Sequence, residues 1–243
     1  MELFGDSLSL EAAGFFTEQL TLAGADVRTS TLGGTAICDF LPAIANDEEA
    51  WHPAVAVLQF SGNSLTPCMV DHATGAHYTG EALIDRYRIA TAQAVAILTA
   101  AGTHVLLAGS PPGRSDPPGA HPLTDMYREL AASSPGVEFI DAGDALTVDG
   151  AYTDRLPCLP GEPCPGTGTE AGTNAVRAPD GAHFCPSAPP TVHDGVAACA
   201  AWSSGAWRFA SALAGAAATV EGLTVPPSAL ADAVWIWVHS GGR

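Results

Sequence analysis

The sequence predicts an α/β fold with a mainly parallel sheet, and three observations carry that expectation. Short apolar runs alternate with longer stretches of helical periodicity, the pattern of successive strand–helix units. The chain has 243 residues, enough for one α/β domain with a full core or at most two small ones. It shows no internal repeat and no linker long enough to divide it, so a single domain over 1–243 is expected.

Taken in order, strands are expected at Glu2–Phe4, Asp26–Thr29, Ala54–Phe60, His104–Ala108 and Val137–Ile140. Helices are expected between them, near Leu10–Ala23, Ala36–Ala45, Gly80–Ala101 and Pro122–Ala132. The third helix has the clearest pattern. Thr79 is placed to cap it, and Leu83, Tyr87, Ala90, Ala94 and Leu98 recur on one face. A last helix from about Val192 to Ala218 would cover the sheet. The segment Ser110-Pro-Pro-Gly-Arg-Ser-Asp-Pro-Pro-Gly follows a strand and should stand on the rim where other strands end. The Gly, Pro and Thr-rich stretch from about Gly143 to Pro179 is long for a structureless connection, and such a loop more often serves as a lid or substrate collar. Within it, Gly166-Thr-Gly-Thr-Glu-Ala-Gly neither follows a strand nor opens a helix and lacks the lysine of a phosphate cradle.

The formal charge is −17, from 26 acidic residues against 9 basic ones, all arginine. Such a surface repels phosphate backbones and anionic headgroups, which argues against nucleic acid and acidic membranes as partners. A neutral or cationic substrate fits better, although acidity also keeps a protein in solution. No stretch of about 18 residues is apolar enough to span a bilayer, so no stable membrane insertion is expected. Val196–Val220 is broken by Ser203, Ser204, Gly205 and Arg208, and Val234–Val238 is too short.

The opening stretch Leu3-Phe4-Gly5-Asp6-Ser7-Leu8-Ser9 puts a serine where a strand turns into a helix, beside the unpaired backbone N–H groups of a helix start. To act as a nucleophile, that serine needs a base, a carboxylate to orient the base, and donors for the developing oxyanion. Asp180-Gly181-Ala182-His183 supplies an acid and a histidine at a spacing that lets the carboxylate fold back onto one ring nitrogen. The other reading of this pair is a helix-capping Asp180 with His183 at the surface. Leu32-Gly33-Gly34-Thr35 offers a backbone N–H after the second strand. Gln59-Phe60-Ser61-Gly62-Asn63-Ser64 offers an amide side chain after the third. In a parallel sheet both fall on the rim that carries Ser7. Structurally, Gly33 and Gly34 are also ordinary turn glycines, and Asn63 an ordinary loop cap.

Six cysteines allow fifteen pairings, and sequence alone does not choose. The pairing Cys38–Cys68, Cys158–Cys164 and Cys185–Cys199 is expected because each bond then joins loops near the proposed site. It implies an oxidising compartment. No leader precedes Glu2, so the expectation is an extracytoplasmic protein whose leader has been removed, with a cytosolic protein holding reduced thiols as the alternative. Zinc is the competing use of the cysteines, but no Cys-x-x-Cys pair occurs and no metal is expected. His72 and His77, in Asp71-His72-Ala-Thr-Gly-Ala-His77, match no motif with a mechanism and are expected in a solvated loop. His52, His104, His121 and His193 have no evident partner.

Gly-Asp-Ser-Leu-Ser at the start, glycine after the second strand, Gly-Asn after the third and Asp-x-x-His near the end, in that order, resemble the SGNH (GDSL) hydrolase superfamily from Leu3 to about Pro186. The resemblance implies a three-layer α/β/α sandwich with a flavodoxin-like five-stranded parallel sheet. It implies Ser7 as nucleophile, His183 as base and Asp180 as its partner. The oxyanion hole would be the backbone N–H of Ser7, a block-two glycine and Asn63. The family pattern Gly-x-Ser/Thr points to Gly33, with Gly34 as the alternative. The third block, commonly Gly-x-Asn-Asp, here reads Ser61-Gly62-Asn63-Ser64, a departure that points toward members acting on carbohydrate or cell-envelope acyl esters. The six cysteines and the Ala-rich, Lys-free composition are similar to those of secreted actinobacterial members. A cofactor-free serine esterase for short acyl esters is therefore expected. The alternatives are an acyltransferase using the same residues and a non-catalytic binding module.

Overall fold

The computed structural model describes residues 1–117, 119–193 and 196–226, and the apolar run 234–238 lies outside them. The described chain forms two compact units. The first holds Met1–Ser9, Arg28–Ser110 and His121–Asp141. The second holds Leu10–Val27, Pro111–Ala120 and the described residues from Ala142 onward.

The first unit is organised on five strands, β1 (Glu2–Gly5), β2 (Arg28–Thr31), β3 (Val55–Gln59), β4 (His104–Ala108) and β5 (Val137–Ile140). They form one sheet in the order β2-β1-β3-β4-β5, every pair parallel. The strands coincide with the five expected ones to within two residues at either end. They were recognisable because a sheet buried on both faces reads as continuous apolar runs. On one face Phe4, Ala56, Leu58, Val105 and Leu107 join a core with α2 (Ile37–Ala50), α3 (Gly80–Ala100) and α4 (Pro122–Ser133). On the other, Leu3, Val57, Leu106 and Ala108 are equally buried. In α3 the predicted stripe is fully buried at Tyr87, Ala90, Ala94 and Leu98, while Leu83, in the first turn, is only partly buried. Thr79 stands at its N-cap position, but contrary to expectation its side chain makes no capping hydrogen bond. A disulfide between Cys38 and Cys68 ties the start of α2 to the short 3-10 turn Pro67–Met69.

In the second unit, Leu10–Leu22 of α1 (Ser7–Leu22) accompany α5 (Ser204–Val220). The stretch read as one long loop holds two small antiparallel ladders, β6 (Thr147–Val148) with β7 (Ala151–Tyr152), and β8 (Arg155–Pro157) with β9 (Thr173–Ala175). Strands of two or three residues are too short to register as a periodic pattern. Buried Glu162 organises the loop between β8 and β9: its carboxylate accepts from Leu159 N, Asn174 Nδ2, Ser204 Oγ and Arg208 Nη2, the last at 2.6 Å. The Cys158–Cys164 disulfide closes the same loop. The last helix begins later than expected. Strands β10 (Thr191–His193) and β11 (Val196–Ala198) pair antiparallel, Cys185–Cys199 closes the segment, and α5 starts only where Ser203 Oγ accepts from Ala206 N. All three expected disulfides are formed. Among the described residues no helix is long and apolar enough to cross a membrane.

Two histidines assigned no partner from sequence have one: His52 Nδ1 lies 2.7 Å from Glu48, and His104 Nε2 lies 3.1 Å from Glu138. A buried acid at the start of β1 gives the first unit a pH dependence. The single hydroxyl proton of Ser30 is shared between Glu2 Oε1 at 3.0 Å and Asp47 Oδ2 at 3.3 Å. Burial first, and the Asp47 charge second, push the Glu2 carboxyl up from 4.5 to about 7. The folded state thus holds a proton that the unfolded state releases, and stability falls as pH rises from 4.5 to 7, then levels off after a loss of at most about 3 kcal/mol. Glu2→Gln is expected to be more stable than wild type by a margin that widens from pH 4.5 to pH 7 and is constant above. Urea unfolding at pH 4.5, 6 and 8 measures this, and a margin that does not change with pH contradicts it.

Candidate active site

In the first unit, Ser7 opens α1 two residues after β1 ends at Gly5. The strand can turn there only because position 5 has no side chain: a Cβ would stand 2.2 Å from Ser9 Oγ and 2.6 Å from Gln59 O. Register sets Gly5 opposite Thr31 of β2 and Gln59 of β3, so the loops that follow all three strands leave from one edge. In a 2-1-3-4-5 sheet this edge includes the switch point between β1 and β3, where ligands bind in open α/β sheets.

Asp6, fully buried, joins these loops. Its Oδ1 accepts from Leu8 N at 3.1 Å. Its Oδ2 accepts from Ser61 N and Ser61 Oγ at 2.6 Å each and from Asn63 Nδ2 at 3.1 Å. Ser61 stands two residues before Asn63, where the resembled block carries glycine, and its hydroxyl adds a bond that glycine could not make. Asn63 Nδ2 also donates to Thr35 O at 3.0 Å, linking the block-three amide to the block-two loop. In that loop Gly33 approaches the serine, since a Cβ there would lie 3.6 Å from Ser7 Cβ, whereas one on Gly34 would meet nothing within 4 Å. Two buried phenols finish the support: Tyr87 donates to Asn63 O at 3.0 Å and Tyr127 to Phe60 O at 3.1 Å. Burial, reinforced by the Asp6 charge, raises both phenols, so they serve as neutral donors. Gln59, also buried, accepts from Ser9 Oγ at 2.6 Å and donates to Ser110 Oγ at 2.9 Å.

In the second unit, Asp180 and His183 share one turn. Ala178 N donates to His183 O at 2.7 Å and Gly181 N to Ala178 O at 2.9 Å. Gly181 has φ +78°, and an added Cβ would come within 2.6 Å of Arg114 Cβ, so both backbone and packing require glycine. Sequence left open whether Asp180 caps a helix or pairs with His183; no helix starts here, and the carboxylate pairs with the imidazole while closing its own turn. Oδ1 accepts from Ala182 N at 2.9 Å and His183 N at 3.0 Å, while Oδ2 lies 2.7 Å from His183 Nδ1. Burial alone would raise the carboxyl, but the hydrogen bonds from Ala182 N, His183 Nδ1 and His183 N hold it down at about 2.

Several residues outside the four sequence blocks support this turn. Arg114 donates from its backbone to Gly181 O and from Nη1 to Pro179 O, each at 3.0 Å, and pairs through Nη2 with Asp154 at 2.7 Å. The 111–120 loop is thereby tied to the Asp180 turn. Arg177, buried, donates to Ala182 O at 3.3 Å and Pro112 O at 3.0 Å, and burial lowers its guanidinium to about 10. Glu11 of α1 accepts from Phe184 N and, at 3.2 Å, from Cys185 N. The one sequence sign of Glu11 was an acid inside the apolar run Leu10–Phe16; the arginines carried none.

The proposed site residues therefore assemble as two groups, Ser7, Gly33 and Asn63 in the first unit and Asp180 and His183 in the second. The first group depends on Asp6 having two acceptor oxygens. Asp6→Asn turns one into a donor facing an N–H group and is expected to lower stability by about 1–3 kcal/mol. Urea unfolding of the variant against wild type checks this, and an unchanged midpoint contradicts it.

No protein-family model and no curated protein matches the sequence. Solved structures do. The lipase/acylhydrolase from Enterococcus faecalis is 17% identical, with 93% of this chain and 97% of that one covered at a TM-score of 0.55. The C-terminal catalytic domain of Streptococcus pneumoniae peptidoglycan O-acetyltransferase A is 14% identical, with coverages of 92% and 95% and a TM-score of 0.54. A carbohydrate esterase family 3 structure from Talaromyces cellulolyticus is 14% identical, with coverages of 90% and 96% and a TM-score of 0.53. At such identities the likeness is one of fold, and the chain has the α/β fold of the SGNH hydrolases that its four sequence blocks imply.

Proposed function

We propose that this protein is a serine esterase that cleaves short acyl esters through an acyl-enzyme on Ser7. The observation that carries the reading is the Asp180–His183 pair. A carboxylate held ionised at about 2 lies 2.7 Å from Nδ1, which fixes the ring and the tautomer whose Nε2 is the base. In the first step His183 Nε2 takes the Ser7 hydroxyl proton while Oγ attacks the ester carbonyl. The oxyanion lies against Ser7 N–H and Gly33 N–H, and Asn63 Nδ2 joins them by exchanging its bond to Thr35 O for one to the oxyanion while keeping its bond to Asp6. As the C–O bond to the alcohol breaks, the alcohol leaves with that proton. Water then attacks the acyl-enzyme, giving a proton to the same nitrogen, and the acid is released as Ser7 regains its hydrogen. The step asks nothing of a metal or organic cofactor.

A substrate among acylated carbohydrates or cell-envelope polymers is supported by the fold shared with a carbohydrate esterase and a peptidoglycan O-acetyltransferase domain, and by the departure in block three. An extracytoplasmic location is supported by the three disulfides, and a charge of −17 argues against nucleic acid as a partner.

Wild type is expected to hydrolyse p-nitrophenyl acetate and to be labelled on Ser7 by a fluorophosphonate. Ser7→Ala should lose labelling and several orders of magnitude in kcat while staying folded. A folded wild type as inert as Ser7→Ala ends the esterase reading. The shared fold of the O-acetyltransferase domain favours one second reading, in which a sugar hydroxyl replaces water in the second step. Adding chitooligosaccharide acceptors to the ester assay is expected to give acylated sugar if transfer dominates, and only free acid if hydrolysis does.

A further inference from the structure

Buried Glu11 has no part in the chemistry proposed above. It belongs to α1, one turn beyond Ser7, in a row where Leu8, Ala12, Phe15 and Phe16 are all buried. Only 3% of it is exposed, and a carboxylate in apolar surroundings is costly unless its oxygens are engaged. Here Oε2 receives the N–H groups of both Phe184 and Cys185, the two residues that follow His183. On the preceding side, Arg177 donates to the carbonyl of Ala182. The peptide carrying the imidazole is thus gripped before and after by buried charges of opposite sign, and charge-assisted bonds of this kind are the stiffer ones. The ring of Phe184 packs 5.3 Å from the Arg177 guanidinium, and Ser203 Oγ donates to Phe184 O at 2.8 Å, so no part of residue 184 is left to water. Burial raises the Glu11 carboxyl; the Phe184 N–H and the nearby His183 ring lower it, and the Asp180 charge opposes them.

We infer that Glu11 is a positioning residue for His183: by holding the backbone of 184 and 185 from the helix that Ser7 opens, it sets where the imidazole stands. The inference rests on the esterase reading. Misplacing a catalytic group by about 1 Å can cost about 100-fold in rate. Glu11→Ala is therefore expected to lower kcat on p-nitrophenyl acetate about 10- to 100-fold with KM nearly unchanged. Glu11→Gln keeps an oxygen in the same place and should restore most of the rate. Glu11→Asp keeps the charge but withdraws it by one methylene, and should be slower than Glu11→Gln. This order can be read even if the alanine variant does not fold. Amide exchange by NMR gives a readout independent of turnover: Phe184 and Cys185 should lose protection in Glu11→Ala or Glu11→Asp and keep it in Glu11→Gln. A folded Glu11→Asp with wild-type kcat, or with both amides still protected, overturns the inference. A wild type inert toward esters and fluorophosphonate overturns the esterase reading instead, whatever the amides do.

Discussion

Asp6 is the constraint on which the serine half of the site depends. A carboxylate at the end of β1 would be expensive to bury alone, and it is tolerated because four donors converge on it, from Leu8 N, Ser61 N, Ser61 Oγ and Asn63 Nδ2. Those donors belong to the helix start and to the loop after β3, so satisfying one buried charge also fixes the distance between the start of α1 and Asn63. Asn63 carries the constraint one loop further, to Thr35 O beside Gly33. The three loops are therefore joined by one hydrogen-bonded network centred on Asp6.

The histidine half is built by a different economy of charge. The chain has nine arginines against 26 acids, yet two of the nine are directed at backbone carbonyls of a single turn, Arg114 at Pro179 and Arg177 at Ala182, and Arg177 also reaches Pro112 of the neighbouring loop. A guanidinium can satisfy several carbonyls at once in a fixed plane, which a water or a lysine could not do with the same rigidity. The negative partners are placed to match: Asp180 on the imidazole, Asp154 on Arg114, Glu11 on the two amides after His183. The net negative charge of the protein thus says little about its site, where charges are locally paired.

Much of the fold was legible because each strand–helix unit carries its signal within a few residues. The strands His104–Ala108 and Val137–Ile140 were readable to the residue, and the buried stripe of α3 from its spacing. The ladders between 147 and 175 and the pairing of β10 with β11 were not, because strands of two or three residues have no period to detect. They are stabilised by contacts remote in sequence, such as Glu162 with Arg208 and Cys185 with Cys199. The late start of α5 has the same origin, since an alanine-rich segment can extend as helix or as strand until a disulfide and a pairing partner decide.

By itself the sequence determined the parallel order of secondary structure and the position of Ser7 at a strand-to-helix turn, and it placed Asp180 within reach of His183, because all three follow from local spacing and side-chain chemistry. Only the tertiary structure decided which donors Asp6 would gather, that Gly33 rather than Gly34 would lie against Ser7, and that Glu11 and Arg177 would hold the backbone on either side of His183. These are relations between residues as far apart as 11 and 184. They depend on where the folded chain brings a buried charge and its donors together, and a one-dimensional pattern carries no term for that distance.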